Sequence, residues 1–503
     1  MDEVHSKRPP YGIIAILMVG AFISFLNNTF LNVALPSIMK DLDVKMSTVQ
    51  WLSTGFMLVN GIMIPTTAFL IQKYSVRNLF LTAVGLFTAG TVIGAISPTF
   101  AILLLARMTQ ASGSAILMPL LMNVMLVSFP ISKRGAAMGT LGLILTFAPA
   151  IGPTLSGWIV EHFNWRALFY LIAPIAVAVL ILGFFLLKDK KEKVNMHIDF
   201  LSLVLSTFGF GGLLYGFSTA GNSGWNNWQV YVSLVIGIIT LIIFIFRQNK
   251  LTQPMLNFHV FKFPMFSLAS VITMVVNMAL FSGFMLLPIY TQSIIGLSPM
   301  KSGLVLLPGA IINGLMSPIT GRMFDKVGGR ILAVTGLTIL TVTTFFFSKL
   351  SFDTTFTHVA ILHVCRMFGM SMIMMPTSTN GLNQLPPRLY PHGTAMNNTL
   401  NQVSGAIGTA FLITIMSTRQ ESHAQELMKA AMTKANGALT PEQIGHIQLE
   451  ALLEGINHTF LISTFIIFVA LILACFIQRA TPSEEGGKKE KMKKTLKNTA
   501  MEH

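Results

Sequence analysis

Two arginines within long apolar runs are the first residues whose chemistry needs an account. Arg107 lies in the run 100–128 and Arg366 in the run 357–379. A guanidinium at the centre of a membrane-crossing helix costs about 2.5–3.5 kcal/mol on insertion scales, so it faces a cavity or a partner rather than lipid. His363 stands one turn before Arg366 and titrates near neutrality when unperturbed. Glu161 closes the run 135–159. These four residues suit proton transfer and charge pairing, and each also has a plainer reading as a tethering, capping or solvated group. Other chemistries lack their residue sets. The sequence has no Gly-x-x-x-x-Gly-Lys-Ser/Thr phosphate loop, no spaced His, Asp and Glu for a metal, and no nucleophile motif. Its two cysteines, Cys365 and Cys475, sit in different apolar runs and support no disulfide framework. No enzyme and no cofactor are expected.

The elements that must position these residues follow from composition. Of 503 residues, 53% are hydrophobic and only 11% charged, with a mean hydropathy of +0.68. A soluble domain carries about 25% charged residues, so a water-soluble enzyme, a disordered chain and a collagen are all excluded. Apolar blocks run over 12–35, 48–71, 78–97, 100–128, 135–159, 167–187, 199–219, 228–246, 265–291, 302–321, 330–348, 357–379, 393–418 and 456–478. Each has about the length that crosses some 30 Å of hydrocarbon as a helix; barrel strands would be shorter and alternating. The first block is too long for a signal-peptide core and reads as a retained span. An even number of spans puts both termini on one side. Most Lys and Arg fall there, and only Lys40, Lys45, Arg166, Lys301, Lys349, Arg419, Lys429 and Lys434 fall opposite. That bias makes the termini cytoplasmic. The net charge of +15 therefore reflects topology, and the lysine-rich tail suits solvent or a lipid surface rather than nucleic acid.

The chain also resembles itself. Leu35-Pro36, Asn60-Gly61 and Pro65 recur in order as Leu287-Pro288, Asn313-Gly314 and Pro318. Lys73 recurs as Lys326, and Arg107-Met108 as Arg366-Met367, at nearly constant spacing. Spans one to six thus match spans nine to fourteen. The expected division is a six-helix bundle over 1–190, a two-helix insertion over 191–254, a second six-helix bundle over 255–480 and a basic tail over 481–503. The polar stretch 419–457 forms the longest loop on the opposite side, with Thr440-Pro441-Glu442 as a fair helix start. Internal repeats of this kind mark secondary transporters, which rock two bundles about a midplane site.

Four local patterns sharpen this. The connection after span ten reads Gly321, Asp325, Lys326, Gly328, Arg330, where a carboxylate can sit at a helix N-terminus. It resembles the loop signature of the major facilitator superfamily. The first-half copy, with Lys73 and Arg77, departs from it by carrying Gln72 and Ser75 in place of Asp and Gly. Span five carries Ala148, Gly152, Pro153, Ser156 and Gly157, similar to the antiporter motif of drug-exporting facilitators. Arg107 through Gly113 resembles the motif that the family associates with proton coupling. Leu26-Asn27-Asn28-Thr29 through Pro36 resembles the signature of the fourteen-helix drug:proton antiporters, with Asn27 where an Asp is usual, and is closest to the LmrB-like lincosamide and multidrug exporters. The resemblance spans nearly the whole chain. It implies an all-α major facilitator fold of 6 + 2 + 6 helices in a bacterial cell membrane, exporting lipophilic drugs or antibiotics by proton antiport, driven by the proton gradient and acting as a monomer.

By this placement no carboxylate lies at mid-depth, which favours neutral, zwitterionic or weakly basic amphiphilic cargo over dications. The cavity is expected between the halves. Asn27, Asn28, Gln110, Asn277, Asn313, Asn398 and Gln402 supply its polar groups, and Met118, Phe147, Phe281, Tyr290 and Met374 its apolar ones. Proton coupling is expected of Arg107, Glu161, His363 and Arg366. Gating is expected of Gln72, Lys73, Arg77, Gly152, Pro153, Gly157, Gly321, Asp325, Lys326, Gly328 and Arg330. Two alternatives remain at this level: export of one narrow physiological substrate, and a membrane sensor or membrane-embedded enzyme.

Overall fold

The computed structural model describes residues 11–188, 199–435 and 440–479. Among these, all regular structure is helical. Fourteen long elements account for it. They are α1 (Tyr11–Asp41), α2 (Trp51–Lys73), α3 (Val76–Ala95), α4 (Phe100–Ser128), α5 (Arg134–His162), α6 (Ala167–Leu186), α7 (Phe200–Ser223) and α8 (Trp228–Lys250). After a short connection come α9 (Pro264–Ile289), α10 (Pro299–Val327), α11 (Gly329–Phe347), α12a (Phe356–Ser371) continued as α12b (Met374–Asn383), α13 (Tyr390–Ala435) and α14 (Pro441–Ala474). Thirteen candidate spans are long and apolar enough to cross a membrane, and α9 adds the apolar run Pro264–Leu280. The basic tail 481–503 and most of the Lys188–Lys193 cluster lie outside the described residues, as do the side chains of Phe281 and Pro153.

Sequence chemistry sets the boundaries. Ser75 Oγ, Ser298 Oγ and Thr355 Oγ1 each accept a backbone N–H of the first turn of α3, α10 and α12a, which satisfies donors that a helix leaves orphaned. Thr440 and Gln443 form a reciprocal capping box at the start of α14. Gly328 ends α10 and admits α11 in a positive-φ conformation (φ 84°) that costs a glycine little. Large apolar side chains point outward, among them Phe185 and Phe200 at 74% and 73% exposure. Such surface suits lipid and would be an aggregation hazard in water. The polar stretch 419–457 is mostly a helical continuation: α13 and α14 run on past the apolar blocks, and Arg419 pairs with Glu454 at 3.0 Å between them.

The packing repeats. In the first half α1 packs on α4, α5 and α6, α4 on α2 and α3, and α3 on α6. In the second half α9 packs on α12b, α13 and α14, α12a on α10 and α11, and α11 on α14. Each pair has its counterpart eight helices on. Two seams join the halves, α5 against α10 and α2 against α13, and these are also counterparts. The inserted helices α7 and α8 pair with each other, and α7 leans on α2 and α13.

Candidate transport site

Arg107 is fully buried on α4. Its Nη1 donates to Gln110 Oε1 at 2.9 Å and its Nη2 to Asn28 Oδ1 at 3.2 Å. The guanidinium lies 4.3 Å from the Phe56 ring centroid, a cation–π contact from α2. Asn27 Nδ2 donates to the same Gln110 oxygen at 3.1 Å, and Gln110 Nε2 donates to Thr91 Oγ1 at 2.8 Å. Helices α1, α2, α3 and α4 thus meet at one cation, balanced among the described residues by neutral dipoles and a ring. Asn27, Asn28 and Gln110, expected to line the cavity, come together here as a hydrogen-bonded cluster around Arg107 within the first half. Thr91 and Phe56 were missed, because nothing in their local sequence distinguishes them from packing residues.

Arg366, its counterpart on α12a, has a different setting. Its Nη2 donates to the Ala279 carbonyl at 3.2 Å, and the Phe347 and Phe460 ring centroids lie 5.9 Å away. Gly283 lets the guanidinium press against α9, where any Cβ would overlap it. His363 is buried against Gly309 on the neighbouring α10, with no hydrogen-bond partner for Nδ1. Glu161 is exposed on the last turn of α5, whereas Arg107 is fully buried on α4. The four ionisable candidates therefore do not form one cluster.

Cavity candidates are likewise spread. Asn398 Nδ2 reaches Met122 Sδ of α4 across the halves at 3.2 Å, and Asn277 Nδ2 donates to Asn401 Oδ1 at 2.8 Å. Phe147 stacks over Gly314 of α10. Together with Met18, Phe22, Ile144 and Ile151 it lines an open, wholly apolar groove of about 370 Å³ between α1 and α5. Met118 is buried in the first-half core, while Asn313, Met374 and Gln402 are partly buried. Tyr290 lies in a separate core, its hydroxyl donating to the Ser351 carbonyl at 2.6 Å.

Of the gate residues, those of the two repeat loops lie on the face that carries Tyr11 and Arg479, while Gly152, Pro153 and Gly157 lie farther along α5. Asp325, at the end of α10, accepts the backbone N–H groups of Gly135 and Ala136 at 2.8 and 2.9 Å. A carboxylate of one half thus caps the N-terminus of α5 in the other, where the helix dipole favours it. Arg479 Nη2 donates to the Asp325 carbonyl at 2.7 Å, while Lys326 and Arg330 are exposed. Beside it, Arg134 Nη1 of α5 crosses between the halves to Asn383 Oδ1 of α12b and Tyr390 Oη of α13 at 3.1 and 2.9 Å. At the other seam Gln72 meets His392 Nε2 at 3.0 Å. Lys73 lies over the Phe69 and Tyr74 rings, and Arg77 Nη2 donates to the Phe184 carbonyl at 3.1 Å. In span five Thr29 of α1 nests on Gly152, Ser156 Oγ donates to the Phe30 carbonyl at 2.7 Å, and Gly157 faces open space.

Two like-built six-helix halves, closed together on one face and flanked by an inserted helix pair, define a polytopic membrane transporter. The chain belongs to the Major Facilitator Superfamily, whose family model matches residues 17–409; it is a transporter and not an enzyme. It is 48% identical to the uncharacterized MFS-type transporter YcnB of Bacillus subtilis, covering 94% of this chain and 96% of that one. It is 44% identical to the lincomycin resistance protein LmrB of the same organism, over 93% and 95%. Among solved structures, the human organic anion transporter MFSD10 (TETRAN) superposes with a TM-score of 0.62 at 12% identity, covering 92% of this chain and 100% of that one, a likeness of fold alone.

Proposed function

We propose that this protein exports lipophilic small molecules, antibiotics of the lincosamide type among them, in exchange for protons. The bundle 1–190 rocks against the bundle 255–480 with the helix pair 191–254 riding beside them. The observation that carries the reading is the Arg107 cluster: a buried cation held, among the described residues, by Asn28, Gln110 and Phe56 without a carboxylate. Such a centre repels permanent cations, and the open apolar groove at Phe147 suits neutral, zwitterionic or weakly basic amphiphiles. The name of the LmrB relative supports a lincosamide as first probe.

The protein acts as a monomer in a bacterial cell membrane with both termini cytoplasmic, and it draws on the proton gradient without a bound cofactor. The conformation described here is then closed to the cytoplasm. Arg107 takes part in coupling, with Glu161, His363 and Arg366 as further candidates. The test is flux of lincomycin, and of a panel of neutral and dicationic drugs, into proteoliposomes with an imposed pH gradient. Uptake should follow the gradient and collapse with a protonophore. Flux indifferent to the gradient, or preferring dications, rejects the reading. Glu161→Gln with an unchanged pH profile removes that residue from coupling.

A further inference from the structure

The internal repeat supplies a control for His363. In the first half, a Cβ on Gly55 of α2 would meet Leu104 and Met108 of α4 at 3.5 and 3.3 Å. In the second half, a Cβ on Gly309 of α10 would meet His363 and Met367 of α12a at 2.4 and 3.0 Å. Met108 and Met367 are counterparts in the repeat, so Leu104 and His363, each one helical turn before them, are counterparts too. Leucine suffices for packing in one notch. The other holds an imidazole that is 2% exposed and whose Nδ1 has no hydrogen-bond partner. Burying such an atom unpaired destabilises a fold, a cost that packing does not require. The two helices differ in a second way. α4 is continuous over Phe100–Ser128, whereas its counterpart breaks at Met372 and Ile373, between α12a and α12b. Thr320 Oγ1 of α10 donates to the Ser371 carbonyl at 2.8 Å beside the break, as neighbouring hydroxyls do for interrupted backbone within a membrane. Discontinuous helices are where transporters build their ion sites.

We propose that His363 carries the coupled proton, exposed when α12a shifts on the joint at 372–373. The inference rests on the antiport reading above and names the carrier. An imidazole takes a proton on a ring nitrogen and gives it up unchanged, with no co-reactant. Nδ1 accepts it from the side opposite the termini and loses it to the other side in the cycle that moves cargo outward. Of the charged and titratable groups on the elements around it, Arg366 stands one turn further along α12a. Tyr290 follows α9 and donates to the Ser351 carbonyl, and His458 lies on α14 two residues before Phe460. Lys301 stands where α10 begins and Lys349 beyond the end of α11, with Arg322, Asp325, Lys326 and Arg330 near the turn that joins those two helices.

The test uses the full chain in proteoliposomes. It compares lincomycin uptake driven by an imposed pH gradient with lincomycin counterflow at equal pH on both sides. The wild type should show both. His363→Leu, which copies the first-half notch, should lose gradient-driven uptake and its pH dependence while keeping counterflow. His363→Gln should do the same, and it decides if the leucine variant does not fold. A second readout is proton release when lincomycin is added to the solubilised protein in weak buffer: the wild type should release protons and His363→Leu should not. His358→Gln, exposed in the first turn of α12a, should leave every readout unchanged. Wild-type uptake that ignores the gradient rejects antiport itself. Wild-type uptake that follows the gradient, beside His363→Leu uptake with the same pH profile or proton release of wild-type size, overturns the assignment to His363 alone. Loss of counterflow along with gradient-driven uptake in both variants also overturns it, since the residue then holds the structure rather than the proton.

Discussion

The α5–α10 and α2–α13 seams occupy equivalent places in the repeat, yet they are built from different chemistry. The first is backbone against backbone. Gly135 and Gly139 face Gly321, and Gly142 faces Ser317, so closely that a Cβ on any of the three α5 glycines would overlap its neighbour. A carboxylate on a helix N-terminus locks it. The second has a Gln72–His392 contact and the inserted α7 packed beside it. The difference makes the first seam close-packed and the second looser. Small residues let helices approach closely in lipid, where association rests on packing.

The largest effect should follow from breaking the tight seam. Gly321→Val sets a branched side chain against the Gly135 carbonyl, which cannot rotate away. Overpacking costs about 1–3 kcal/mol, so the closed state should lose roughly 5- to 150-fold in population. Spin labels at Lys133 and Arg322 should then report a longer distance, and flux should fall with it. Gly61→Ala on α2 meets only the flexible end of Leu214 and should change flux less than about twofold. Equal effects from the two substitutions would mean that the α5–α10 seam is no tighter than the α2–α7 packing beside the other seam.

The buried arginines extend the comparison into the bundles. Arg107→Ala takes the arginine donor from Asn28, a loss worth about 1–3 kcal/mol, and leaves Gln110 held by Asn27 and Thr91; flux should drop roughly 10- to 100-fold. Arg366→Ala leaves the Ala279 carbonyl within its own helix and removes packing against Phe347 and Phe460. It should lower the thermal midpoint more than it lowers flux. Flux in proteoliposomes at matched protein density, beside thermal midpoints, separates the two outcomes.

Part of this was legible in the sequence and part was not. Helix number, the membrane class and the family were readable, because apolar length and local motifs carry them. Asn27, Asn28 and Gln110 were readable as candidates because amides are rare in apolar runs. Their convergence on Arg107 was not, since it depends on how α1, α2, α3 and α4 rotate against one another. His392 and Arg134 were unreadable for a related reason: Gln72 and His392 are joined only by the seam. The spacing of Gly135, Gly139 and Gly142 was a usable signal for close helix approach that the motif search passed over.

Smaller effects test the latches themselves. Asp325→Asn keeps an acceptor but loses the charge at the α5 N-terminus, worth about 0.3–1 kcal/mol in exposed settings and up to ~2 when partly buried. The closed state should weaken by roughly 2- to 30-fold on that scale, read by the same spin-label pair. Gln72→Glu works in the opposite sense, adding a charge-assisted bond to His392, and should strengthen closure at the α2–α13 seam. Labels at Gln253 and Lys73 would follow it. Were Asp325→Asn silent and Gln72→Glu decisive, the roles given to the two seams would be reversed.

The smallest effect concerns ion pairs that cross neither seam. Asp199 is held by Arg247, whose hydrogen bonds are the main reason that its carboxyl is pulled down to about 2. Asp41 is also lowered, first by Arg166 and then by the Trp165 indole N–H. A carboxyl depressed in the folded state contributes stability that is fully present above its unfolded value near 3.9 and is lost as pH falls through the folded value. The Asp199 contribution therefore disappears between about pH 4 and pH 2. Both pairs are partly exposed and screened, so Asp199→Asn should lower the thermal midpoint at pH 7 by no more than about 2 °C, and not at all at pH 2. Because Asp199 and Arg247 tie α7 to α8, and Asp41 and Arg166 tie α1 to the α5–α6 turn, neither substitution should move the pH profile of flux above pH 5. A shifted profile in Asp199→Asn would mean that the inserted helix pair feeds into the gate through α7, and that the looser seam senses charge after all.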